Sequence, residues 1–211
     1  MKMPLNAGLL YALVLAIPLL AGCSRSDPTW KTHDIRGLMP DLAFKLTNTD
    51  GKAVTQRAYK GYTTLLYFGY THCPDVCPTT VATVIRALHE LKGQASAVRF
   101  LFVSVDPERD TPAVLKAYVE AFGSPELVGL TGTQDQLQAL AKRYRVSYSY
   151  DKPDAHREYG VNHSAAIFVF DSEGKVSLVM NYKNGADAIA HDLKQMADGN
   201  NPAPRDLQKG S

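Results

Sequence analysis

Apolar residues along this chain follow two rhythms, and the switching between them sketches a fold. Thr63 to Tyr70 (TTLLYFGY) and Val98 to Val105 (VRFLFVSV) are near-continuous apolar runs, the pattern of strands covered on both faces. Ala43 to Thr47 alternates instead, and Asp50-Gly51 behind it is a hairpin turn signal. Pro78 to Leu91 predicts a helix, with Val81, Val84, Ile85, Leu88 and Leu91 on one face. Thr111-Pro112 opens another, Thr as cap and Pro as first helical residue. Thr133 and Gln136 fit a capping box ahead of Leu137, Leu140, Ala141 and Tyr144. Ala165 to Phe170 and Val176 to Asn181 read as strands joined by a turn at Asp171-Ser172-Glu173-Gly174, and Ala186 to Met196 as a closing helix.

Strands alternating with helices imply an α/β protein, and the late hairpin makes its sheet mixed. The order β-α-β-α-β-β-α, with two cysteines between the first central strand and its helix, predicts a thioredoxin-like fold: a mixed central sheet flanked by helices. Residues 38–198 form one domain on this reading, and no internal repeat interrupts it. Residues 23–37 are polar and read as a tether, with Trp30 packing on the domain edge. Residues 199–211 read as a disordered tail.

The first 22 residues have another pattern. Lys2 precedes a stretch from Met3 to Ser24 that has no charge, filled with Leu, Ala, Val and Ile from Leu9 to Ala21. A basic start, a short apolar middle and small residues at the end describe a secretory signal. The ending Leu20-Ala21-Gly22-Cys23 resembles a bacterial lipobox, in which Cys23 becomes the lipidated first residue of the mature chain. An uncleaved anchor is the weaker reading, because the apolar middle falls short of the ~20 residues that a spanning helix needs and Pro18 interrupts it. The protein is therefore expected in the bacterial cell envelope, lipid-anchored and facing the periplasm. Its 23 Lys+Arg against 21 Asp+Glu give a net charge of +2, which argues against a nucleic-acid binder with a basic face.

The chain has three cysteines. Acylation would occupy Cys23 and leave Cys73 and Cys77, in a compartment that permits disulfides. Each precedes a proline, which disfavours helical backbone at the preceding residue. Both are therefore expected on a loop, with the helix beginning at Pro78 and Cys77 as its N-cap. A thiol there faces the positive end of the helix dipole, which lowers its pKa. For a bare C-x-x-x-C in a secreted chain a structural disulfide is the plain alternative. Three features favour chemistry instead. The pair lies at the carboxyl end of a buried strand, where α/β proteins place ligands. Prolines bracket it. A third soft donor, His163, stands just before the Ala165 strand. Two thiolates and an imidazole suit copper as Cu(I) or Cu(II), whereas a closed structural zinc site prefers four ligands. A mobile loop carrying His163 would let the site load and unload.

These residues also carry a resemblance. YFGYTHCPDVCP at Tyr67–Pro78, SVDPERDTP at Ser104–Pro112, GLTGT at Gly129–Thr133 and VNHS at Val161–Ser164, in this order and spacing, closely resemble the SCO/SenC family over roughly Pro40 to Met196. The resemblance implies a thioredoxin-like fold and copper binding by Cys73, Cys77 and His163. It also implies service to the binuclear copper site of cytochrome c oxidase, by delivering copper or by preparing the thiols of the copper-site subunit. Other copper carriers or thiol reductants are then possible partners. The family usually has Asp before the histidine, and this chain has Asn162, which removes a nearby negative charge.

Three functions follow from these residues. The first is a membrane-tethered copper chaperone. The second is a thiol-disulfide oxidoreductase that uses Cys73 and Cys77 as a reversible disulfide. The third is a redox or peroxide sensor. His163 favours the first, because a dithiol needs no histidine. His72 ranks below His163 as a ligand. His89 reads as a helix-end residue, and His33, His156 and His191 as surface residues. Asp106-Pro107 and Arg109-Asp110 read as a turn that caps the next helix, with partner docking as the sharper alternative. Asp75 either tunes the metal or is solvated. Tyr67, Phe68 and Tyr70 read as core, with Tyr70 able to shield the sulfurs. Arg143, Tyr144 and Arg145 read as helix-end residues. The sequence has no phosphate loop, no Ser/His/Asp pattern and no second metal cluster.

Overall fold

The computed structural model describes residues 29–156 and 158–198. The expected signal, the lipidation site Cys23 and the C-terminal tail lie outside the described residues. In chain order the strands and α-helices are β1 (His33–Asp34), β2 (Lys45–Asn48), β3 (Ala53–Thr55), β4 (Thr63–Gly69), α1 (Val76–Glu90), β5 (Val98–Ser104) and α2 (Pro112–Glu120). Then come β6 (Leu127–Thr131), α3 (Gln134–Arg143), β7 (Tyr148–Tyr150), β8 (Val161–His163), β9 (Ile167–Phe170), β10 (Val176–Met180) and α4 (Ala186–Ala197).

Eight strands form one sheet in the order β1-β10-β9-β4-β5-β6-β2-β3. The β4, β5 and β6 strands run parallel, Leu65 opposite Phe100 and Phe102 opposite Gly129. The strands outside them are antiparallel, so the sheet is mixed. With its flanking helices the sheet is thioredoxin-like. Every β4 residue is buried, as the unbroken apolar run required. Each large apolar side chain removed from water contributes about 1.5–3 kcal/mol, so the two central strands anchor whatever their carboxyl ends carry. Gly69 ends β4 where a side chain would not fit: a Cβ there would lie 2.7 Å from the Phe102 ring.

Helix α1 packs on α4, α2 on β6 and α3 on β2. Thr111 caps α2 by accepting from the Val114 amide, and Thr133 with Gln136 forms the capping box of α3. The hairpin of β9 and β10 turns at Asp171–Gly174, with an irregularity between Val176 and Leu178.

Four features depart from the expectations above. Helix α1 starts at Val76, not Pro78, with Asp75 at the N-cap. Proline is tolerated as the third helical residue because its missing N–H is one of the first-turn donors that lack an intrahelical partner. Cys77 is therefore in the helix. The segment expected as tether joins the domain from residue 31: β1 pairs with β10, and buried Asp192 of α4 accepts from the Lys31 and Thr32 amides and the Thr32 hydroxyl at 2.8–2.9 Å. The strand expected from Ala165 starts at Ile167, and β7 with β8 forms a separate two-stranded arm. His191 is half-buried against Asp192, with Nδ1 2.8 Å from Oδ1, not a free surface residue. Among the described residues no helix is long and apolar enough to cross a membrane.

Candidate metal centre

The carboxyl end of β4 hands the chain to a short loop, Tyr70 to Asp75, and then to α1. Cys73 sits half-buried on that loop, its amide donating to the Tyr70 carbonyl at 3.3 Å. Cys77 lies in the first turn of α1 and is fully buried, and its amide donates to the Cys73 sulfur at 3.3 Å. An unpaired N–H at a helix start thus serves the partner thiol.

His163 arrives from far along the chain, at the end of the β7–β8 arm, where it pairs with Tyr148. Its Nε2 is 3.3 Å from the Cys77 sulfur. Its Nδ1 is 3.0 Å from the Ser164 carbonyl oxygen. A carbonyl only accepts, so Nδ1 carries the proton and Nε2 presents its lone pair to the sulfurs. The Tyr70 ring meets the imidazole edge-on at 5.9 Å, and the Tyr67 ring lies 6.0 Å away. His163 is thus held on a packed strand end, where a mobile loop was expected. The donor atoms of Cys73, Cys77 and His163 all lie within 4.8 Å of one another, the one such group among the described residues. Two soft sulfurs and one imidazole around one point fit a copper ion, and both cysteines are free thiols.

Burial pushes the Cys77 thiol up to about 12, against the pull of the Tyr70 backbone and the Tyr67 hydroxyl. The expectation of a low-pKa Cys77 is therefore corrected: its sulfur is in the helix and dry, and desolvation outweighs the helix terminus. The Tyr67 hydroxyl donates to that sulfur at 3.6 Å. So Tyr67 is core, as its position suggested, and also touches the site. Burial pulls the His163 pKa down, which keeps its ring neutral and able to ligate.

His72, the alternative ligand, stands outside the cluster. It is 46% exposed, with Nδ1 3.0 Å from the Thr71 hydroxyl and 3.7 Å from Asp110. Asp75 accepts from the Thr79 hydroxyl at 3.3 Å. Asn162 points its amide to Asp151, 2.8 Å away. Gly160 lets that carboxylate in, since a Cβ there would lie 2.5 Å from its Oδ2.

Beneath the cysteine loop, where the sequence predicts a capping turn, lies a wider polar network. Asp106 and Asp110 are fully buried. Asp110 accepts from the Thr71 amide at 2.9 Å, the Thr71 hydroxyl at 2.6 Å and the Ser104 hydroxyl. Asp106 accepts from Arg109 and, at 2.8 Å, from Tyr159. The Arg109 guanidinium stacks 3.6 Å over the Tyr159 ring. The two acids thereby tie the loop after β5 to the cysteine loop on one side and to the arm on the other. The signal was two acids bracketing Arg109 directly after a buried strand, but only the fold brings Thr71 and Tyr159 to them.

The SCO1/SenC family model matches residues 39–198. This chain belongs to the SCO1/SenC family. It is 40% identical over 134 residues to the mitochondrial SCO1 homolog of Homo sapiens, covering 63% of this chain and 44% of that one. It spans about half the length of such relatives. Among solved structures, Bradyrhizobium japonicum ScoI with copper bound is 40% identical, with a TM-score of 0.68, over 74% of this chain and 98% of that chain. BsSco, a member of the Sco family of cytochrome c oxidase assembly proteins in which a disulfide switch was identified, is 29% identical with a TM-score of 0.58, over 76% and 95%.

Proposed function

We propose that this protein carries copper for cytochrome c oxidase assembly, holding the ion between Cys73, Cys77 and His163. The observation that carries the reading is the convergence of three copper-compatible donors within 4.8 Å, one of them from a separate arm of the fold. A thiol reductant has no use for that imidazole. The copper in Bradyrhizobium japonicum ScoI and the assembly role of the Sco family to which BsSco belongs support it. Copper is here the cargo, and the acceptor is the copper-site subunit of the oxidase. We further propose that residues 1–22 are a signal and that lipid on Cys23 keeps the domain at the periplasmic membrane face.

A second reading rests on the asymmetry of the thiols. Cys73 is reachable and Cys77 is buried beneath it, the arrangement of an attacking and a resolving sulfur. One protein can serve both roles, and His163 separates them. His163→Ala should weaken Cu(II) binding by more than the roughly 10–100-fold that losing an outer hydrogen-bond partner of a metal ligand costs. Thiol-disulfide exchange should stay unchanged. In a strain that depends on this protein for oxidase assembly, the variant should fail under copper limitation. Normal assembly would transfer the case to the reductase.

A further inference from the structure

A cavity of about 320 Å³ opens between the loop after β5 and the β7–β8 arm. Rings make most of its wall. Tyr150 and Tyr159 meet edge to face at 5.8 Å, Pro107 and Pro153 line the cavity with them, and Tyr150 is 41% exposed. The neutral polar groups around it are engaged within the fold. The Tyr150 hydroxyl donates to the Val105 carbonyl at 2.6 Å and lies 3.2 Å from the Gln134 side-chain oxygen. The Gln134 amide nitrogen donates to the Tyr148 hydroxyl at 3.2 Å. The Tyr159 hydroxyl donates to buried Asp106.

Two exposed carboxylates are left, Glu108 from the loop and Asp151 from the arm. Glu108 has no hydrogen bond or ion pair among the described residues, and the Asp151 carboxylate accepts only from the Asn162 amide. No cationic side chain lines the cavity. Arg109, next to Glu108 in the chain, turns instead to Asp106, Glu158 and the Tyr159 ring. An ionised carboxylate accepts hydrogen bonds and never donates. A ligand for this cavity therefore brings positive charge and N–H donors at its tip, with an apolar stem to lie against the rings. Lysine and arginine side chains have that build, and arginine and tyrosine are enriched together in protein interfaces. A quaternary ammonium headgroup has the charge but no N–H, and would leave both carboxylates without a donor. The cavity also shares its arm with a copper ligand, since Tyr150 pairs with Val161 and Tyr148 with His163.

We propose that this cavity docks a lysine or arginine side chain of the protein that receives the copper, and so holds the acceptor against the arm that carries His163. The inference rests on the copper-carrier reading. It adds no chemical step: the cation enters and leaves charged, and its stem displaces water from the rings. Within the Asp106–Asp110 turn the two buried acids serve the fold, and Pro107 and Glu108 between them serve the partner.

The test uses the full-length protein in detergent and the copper-free copper-site subunit of the oxidase, one of them immobilised. Competition against a Cu(I) chelator comes first. A wild-type protein that binds no copper there defeats the carrier reading itself, whatever the docking result. Given copper binding, Glu108→Gln should weaken the complex with the subunit roughly tenfold, the weight of one charge-assisted contact, and leave Cu(I) affinity unchanged. Asp151→Asn, which keeps an acceptor oxygen for Asn162, should weaken the complex similarly. Raising the salt from about 0.05 to about 0.5 M should weaken the complex less in both variants than in wild type, because a screened charge is already gone. Glu173→Gln, in the β9–β10 turn and outside the cavity, removes the same charge and is the control. Equal weakening there would mean that net charge alone steers the partner and would overturn the proposal. So would wild-type affinity in Glu108→Gln, or no complex at all in a wild type that binds copper. N-acetylarginine amide should displace the subunit better than phosphocholine at the same concentration. The reverse order would give the cavity to a lipid headgroup and refute the proposal.

Discussion

At the residue scale the centre turns on a buried thiol. Cys77 is held protonated by desolvation, and its pKa is pushed up to about 12. Copper must therefore displace its proton, and affinity should rise with pH by roughly tenfold per unit for each proton released. Competition titrations from about pH 6 to pH 8 check this, and a flat profile would mean that the sulfur is already ionised. The Tyr67 hydroxyl helps the sulfur ionise. Tyr67→Phe should therefore make copper loading demand a higher pH while leaving the fold intact, since only one oxygen is removed from a closely packed ring. His163 acts in the other direction. Its folded pKa lies below the unfolded value of about 6.5. The unfolded chain thus binds the extra proton between those two values, and stability falls as pH drops through that window. Wild type should lose more stability there than His163→Gln, as read by urea unfolding. The residue types were legible in advance: two cysteines bracketed by prolines, and one distant histidine. The state of Cys77 was not, because it depends on where the helix begins. A proline can stand third in a helix as well as first, so sequence left the thiol's environment open by half a turn.

At the scale of elements the question is how a loop, a helix and an arm hold three donors together. The runs that became β4 and β5 were plain from their unbroken apolar character, and the caps at Thr111 and Thr133 from their side chains. The β7–β8 arm left no such trace: Tyr148–Tyr150 and Val161–His163 are three residues each, too short for a period, and their pairing spans a loop without pattern. The polar network escaped for the same reason, since its partners are distant in sequence. Asp110 accepts three hydrogen bonds, two from Thr71 and one from Ser104. Asp110→Ala strands those donors and should cost about 2–4 kcal/mol by urea unfolding. It should also speed copper release, because Thr71 fixes the loop ahead of Cys73. A variant with unchanged stability would mean that water replaces the carboxylate. The arm has its own control in Asn162, whose amide donates to Asp151. An aspartate at 162 would set two carboxylates against each other where Gly160 already presses one close. Asn162→Asp should therefore loosen the arm and weaken copper binding while thiol exchange proceeds as before. In this chain, asparagine suits the acid across from it.

At the scale of the whole molecule, the chain enters the domain through β1, at the edge of the sheet. The last residues before the sheet are clamped by Asp192 of the final helix, so the two ends of the fold are locked to each other at that point. Cys23 lies only ten residues before His33 in the sequence. An extended chain spans at most about 3.3–3.6 Å per residue, so a lipid on Cys23 would keep His33 within roughly 35 Å of the membrane surface. Cys23→Ser should leave an unprocessed precursor, detected by its mass. The clamp itself offers the sharpest test of how tether and centre are related. Asp192→Ala removes the acceptor for two amides and a hydroxyl and should destabilise the domain by about 2–4 kcal/mol. The three donors are borne by other elements, so Cu(I) affinity at equilibrium should remain. Loss of affinity together with stability would mean that the strap supports the whole site; full affinity at reduced stability would mean that it serves the fold alone.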